Sequence, residues 1–242
     1  MNSPLKPITT TRSILLFGIS TLVFLLICRS LIPLLHQNLG LHPALSWFTG
    51  GLMIFLPLFV GAIFLVRKDG FSEWGEMISR LRLKKMSPRD WKIMLLSTLA
   101  ILLLTGLIMG ISKFLHSRFG IPEIETTPSF MKFDAFQGSE RLLLLPWLVM
   151  FFFNILGEEL LWRGYILPRQ EVSIGPNAWF FNALLWTMFH ICFGIQLMIL
   201  LIPILFILPW AVQKTQNTTV GIYIHALVNG PAFIMVSLGI IS

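Results

Sequence analysis

Long apolar runs separated by short polar breaks dominate the chain. A membrane-spanning helix needs about 20 mostly apolar residues, and the runs 14–35, 44–66, 93–112 and 142–162 each qualify. From Val172 to Gln213 there is no Asp, Glu, Lys or Arg. That stretch is long enough for two more spans, roughly 176–193 and 195–212, and a last run covers 219–240. The pattern predicts an all-α, polytopic membrane bundle of about seven transmembrane helices. Pro203 and Pro209 predict an interruption in the sixth.

The polar break after the second run reads FSEWGEMISRLRLKK. Phe71, Trp74, Met77, Ile78 and Leu81 recur there at helical spacing, with Arg80, Arg82, Lys84 and Lys85 beside them. This predicts an amphipathic cytoplasmic helix at the membrane interface. A structured loop with no lipid role fits the same residues.

Composition agrees with the hydropathy. The chain has 242 residues, 55% hydrophobic and 12% charged, with a mean hydropathy of +0.80. It reads as one integrated domain, with an amino-terminal membrane region and its basic loop over 1–141 and a second region over 142–242. A net charge of +7 raises the question of nucleic acid. Its placement in loops between apolar runs argues instead for membrane orientation, with lipids as partners and no nucleic acid. Thirteen of the eighteen Lys and Arg fall on one side of the predicted bundle. The positive-inside rule then puts the N-terminus in the cytoplasm, and a bacterial plasma membrane is the expected setting. Cys28 and Cys192 each lie inside an apolar run, which argues against a disulfide between them, and no Cys-rich metal spacing occurs.

Ionisable residues within the runs are few: Glu158, Glu159, Arg163, His190 and His225, with Asn154, Asn182 and Asn229 as polar company. Glu159 and Arg163 stand four apart on one helical face with the acid first, the favourable order for a pair. Glu158 faces elsewhere, alongside Asn154, and needs a partner from another helix. His190 and His225 are the candidates, because a buried carboxylate beside an imidazole is a general-base arrangement. His225 and Asn229, also four apart, offer two donors for a developing oxyanion. Trp186 stands one turn before His190 and supplies an aromatic wall. Packing histidines, interhelical polar contacts and an anchoring ion pair explain each feature singly. They do not explain why these residues make up nearly the whole intramembrane polar set.

Glu158-Glu159-x-x-x-Arg163, then Trp186-x-x-x-His190, then His225-x-x-x-Asn229, resembles the CPBP family of CAAX prenyl proteases and bacteriocin-processing proteins, also called abortive-infection or type II CAAX proteases. The resemblance covers roughly residue 142 to the C-terminus. It implies an intramembrane endopeptidase that hydrolyses a peptide bond in a membrane-associated peptide or protein tail near the cytoplasmic leaflet. Glu158 and His190 would activate water, His225 and Asn229 would bind the oxyanion, and Glu159, Arg163 and Trp186 would support them. A metal-free glutamate mechanism is the favoured reading, with no cofactor. The alternative is Zn²⁺ held by Glu158, His190 and His225, although no HExxH is present. A non-catalytic immunity or partner-binding relative of the same family is the competing reading of function. A proton-coupled transporter using Glu158 is a third.

One geometric requirement follows. Glu158 and His225 fall in the cytoplasmic third of their spans, whereas His190 lies about 20 Å along the helix from Pro176 at 1.5 Å per residue. The three converge only if the fifth helix begins well below the membrane surface.

Overall fold

A computed structural model describes residues 5–240, and among these the chain is helical with no strand. The first helix, α1 (Thr10–Leu26), continues through two π turns to Asn38. α2 (Pro43–Lys68) and α4 (Pro88–Phe119) each begin with proline, whose missing N–H costs nothing in a helix's first turn. A reciprocal Ser87–Asp90 capping box also opens α4. α5 (Leu144–Glu158) passes through a π segment, Glu159–Ile166, into α6 (Leu167–Ile174). α7 (Ala178–Phe189), α8 (Ile195–Thr215) and α9 (Thr218–Ser237) complete the bundle.

Among the described residues six helical runs are long and apolar enough to cross a membrane, where the hydropathy predicts seven. The difference lies in the fifth. α7 has only 12 residues, about 18 Å of helix at 1.5 Å per residue, so it crosses little more than half of a hydrocarbon core. It follows a turn at Gly175–Asn177 and ends at His190, where the chain reverses through a 3-10 turn into α8. The base of this hairpin is tied by Gln213, which accepts from the Trp179 N–H at 2.6 Å and donates to the Pro176 carbonyl at 2.9 Å.

The preceding run is correspondingly longer than predicted. The helix expected to stop at Trp162 continues, fully buried over most of the added length, to Ile174. Ile174 is sixteen residues past Glu158, about 24 Å along the axis at 1.5 Å per residue. α7 therefore starts far below Glu158 and climbs back to bring His190 level with it. The chain thereby brings Trp186, one turn before His190, back to Glu158. The other correction concerns α8, which runs unbroken through Pro203 and Pro209.

Polar residues gather where these helices emerge. Arg82 makes a bidentate pair with Glu171, both bonds 2.9 Å. Gln216 also donates to Glu171 at 3.0 Å, and the Thr218 N–H donates to the Arg82 carbonyl at 2.9 Å. Arg169 pairs with Asp69 and donates to the Tyr165 carbonyl at 2.7 Å. The amphipathic segment forms a short helix, α3 (Trp74–Arg80). Met77 and Leu81 on its apolar side are buried in the protein, and Trp74, 67% exposed, stands clear.

α5 packs on α2 by direct backbone approach. A Cβ added at Gly157 would come within 2.4 Å of the Phe55 carbonyl oxygen, so glycine is what lets these helices touch one residue before the doubled acid.

Candidate active site

The two glutamates divide between two sets of partners. Glu158 closes α5, and Asn154, one turn earlier, donates to its Oε1 at 2.8 Å. Its other oxygen accepts the indole N–H of Trp186 from α7. Glu159 opens the π segment, whose wider turn points it toward α9. Its Oε1 lies 3.5 Å from Arg163 Nη1 and 3.0 Å from His225 Nδ1. All four charged or imidazole side chains of this pair of sets, Glu158, Glu159, Arg163 and His225, are buried.

Trp186 is the hub. The Arg163 guanidinium lies over its ring at 3.5 Å, a cation–π contact in a desolvated setting. The His190 and His225 rings stand edge-on to it, with centroids at 5.2 and 5.6 Å. His190 Nδ1 is 2.9 Å from the Trp186 carbonyl oxygen, so Nδ1 carries the proton and Nε2 of the neutral ring is an acceptor. No direct hydrogen bond joins Glu158 to His190 among the described residues. Trp186 holds both, one through its side chain and one through its backbone.

Space for Glu159 is made on α9. A Cβ at Gly221, one turn before His225, would come within 2.5 Å of Glu159 Oε2 and 2.7 Å of Val212 Cγ2. Among the described residues, that Glu159 oxygen and all three guanidinium nitrogens of Arg163 have no hydrogen-bond partner. Asn229, one turn beyond His225, is half-buried and its side chain makes no hydrogen bond among the described residues. Asn182, fully buried on α7, donates to the Trp162 carbonyl at 3.2 Å and to Gln170 Oε1 at 2.9 Å. It thereby occupies a carbonyl inside the π segment that carries Glu159 and Arg163.

Three of these relations are absent from the spacing argument. Asn154 proves to be a partner for Glu158 on its own helix. Trp186 is more than a wall, since an indole N–H can reach a carboxylate where a phenyl ring cannot. Glu159 serves His225 as well as Arg163, for which the small residue one turn before His225 is the only signal in the sequence. No group of three or more His, Cys, Asp or Glu placed to hold a metal occurs among the described residues.

These features define a polytopic membrane protein with a buried acid–imidazole cluster at the meeting of α5, α7 and α9. Residues 140–230 match the family model described as Rce1-like, type II CAAX prenyl endopeptidase Rce1-like. The match agrees with the CPBP/CAAX protease family indicated by the three motifs, and it contains every residue of the cluster from Asn154 to Asn229. Neither the curated proteins nor the solved structures include a match.

Proposed function

We propose that the chain is a glutamic-type intramembrane endopeptidase that hydrolyses a peptide bond in a membrane-associated tail near the cytoplasmic leaflet. The observation that carries this reading is the hub at Trp186, which gathers Glu158, His190, His225 and Arg163 from three helices. Each oxygen of Glu158 accepts one hydrogen bond and keeps a free lone pair, while His190 presents Nε2. A water between them has acceptors for both protons. Glu158 takes one as the oxygen attacks the scissile carbonyl, and that proton then passes to the leaving amine.

His225 is the donor to the resulting oxyanion, together with the Asn229 amide. Glu159 holds His225 through Nδ1 and so fixes the orientation of the ring in the site. Zinc enters no step of this scheme.

The excess of Lys and Arg around α3 supports a cytoplasmic N-terminus, with the α6 extension and the start of α7 on the inner side. The test is cleavage by the purified chain in lipid vesicles of a set of peptides bearing lipid-modified or hydrophobic tails, followed by mass spectrometry. Wild type should yield two fragments from at least one peptide, and His190→Ala should yield none while remaining folded. Equal cleavage by the variant would refute the assignment.

A further inference from the structure

Among the described residues two that are not glycine have a positive φ, Arg82 at 52° and Gln216 at 53°, and both come to the same carboxylate. Arg82 follows α3 and Gln216 ends α8, and their side chains reach Glu171 on α6 at 2.9 and 3.0 Å. L side chains rarely adopt this backbone conformation, and it persists where the surroundings over-determine it. Here the surroundings also fix the start of α9. The Arg82 carbonyl accepts the Thr218 N–H at 2.9 Å. The Asn217 side chain caps α9 by accepting the Thr219 N–H at 3.1 Å, and it donates to Asp90 at the start of α4 at 3.3 Å.

We propose that Glu171 is a positioning residue for His225, acting through α9. Its effect on cleavage rests on the role of His225 proposed above, whereas its effect on the place of His225 does not. The run through the π segment into α6 is joined to α9 and the turn before it at two points. One is Glu159 with His225 at 3.0 Å, the other Glu171 with Gln216 at 3.0 Å. Twelve residues separate the two glutamates and nine separate their partners. At 1.5 Å per residue the joints stand roughly 13–18 Å apart. The upper joint alone leaves α9 free to slide along its axis or turn about it. The lower joint opposes both motions, because Arg82 binds Glu171 through its side chain and α9 through its carbonyl. The fit above tolerates little movement, since a Cβ added at Gly221 would reach Glu159 Oε2 at 2.5 Å.

The test uses the full chain in detergent micelles with isotope-labelled histidine. The Nδ1 signal of His225, identified by its loss in His225→Gln, reports the contact with Glu159. Glu171→Ala should move this signal toward that of a free imidazole and lower kcat about 10–100-fold with KM little changed. Glu171→Gln, a milder change that keeps an acceptor for both partners, should move it less. The reversed pair Arg82→Glu with Glu171→Arg should restore the wild-type signal. Asp69→Asn, which breaks the Arg169 pair elsewhere among the emerging helices, should leave it in place. An unchanged His225 signal in both Glu171 variants, or an equal shift in Asp69→Asn, would overturn the proposal. The signal is read without substrate, so a wild-type chain that cleaves no peptide counts against the protease reading alone.

Discussion

His225 Nδ1 lies 3.0 Å from Glu159 Oε1, joining α9 to the π segment in the middle of the bundle. The same oxygen faces Arg163 at 3.5 Å. One carboxylate thus faces two cationic or imidazole partners from different elements, and among the described residues the Arg163 nitrogens have no hydrogen-bond partner. Removing the charge in Glu159→Gln leaves a buried guanidinium without its counter-ion. A loss of about 3–5 kcal/mol is expected for breaking such a pair, read as a lowered thermal midpoint in detergent.

Gly221→Ala probes the same contact from the other side. Its Cβ would meet Glu159 Oε2 at 2.5 Å and Val212 Cγ2 at 2.7 Å, so either α9 or the carboxylate must move. Overpacking of this kind costs about 1–3 kcal/mol. The variant should lose cleavage more completely than stability, because the displaced group is the one that orients His225. Gly230→Ala, whose Cβ would meet Phe151 Cζ at 3.1 Å, can be relieved by a ring shift and serves as the milder comparison.

Trp186→Phe keeps an aromatic face for Arg163 and removes the N–H given to Glu158. Loss of one hydrogen bond to a buried charged group is worth about 1.5–3 kcal/mol. Thermal unfolding should show that loss, and the replacement should leave the positions of His190 and His225 intact in a structure of the variant.

Asn182→Ala should destabilise by about 1–3 kcal/mol, since it strands the buried Trp162 carbonyl and Gln170. Equilibrium unfolding in detergent, beside the exposed control Asn38→Ala, checks this. An effect no larger than that of the control would remove Asn182 from the support of the π segment.

Much of the site is legible in the sequence because a charged or amide side chain in an apolar run stands out, and helical spacing separates Glu158 from the Glu159–Arg163 pair. What spacing does not reveal is reach between helices. The pairing of Glu159 with His225 depends on the wider π turn and on the absence of a Cβ at Gly221, and neither has a period of its own. Hydropathy finds α5 but not its end, since Arg163 and Arg169 read as a membrane boundary. In the fold, Arg169 is neutralised by Asp69 and stacked on Tyr165, and the helix runs on. The same blindness makes α7 a full span, because an apolar run does not show where a helix turns back.

The measurement that bears most directly on the division of the two acids is a paired comparison of Glu158→Gln and Glu159→Gln in vesicles, scoring peptide cleavage and thermal midpoint together. Glu158→Gln should abolish cleavage and melt only modestly below wild type, because its amide oxygen still accepts one of the two hydrogen bonds from Asn154 and Trp186 and the Glu159–Arg163 pair stays intact. Glu159→Gln should melt well below both. Cleavage at the wild-type rate by Glu158→Gln would contradict the account.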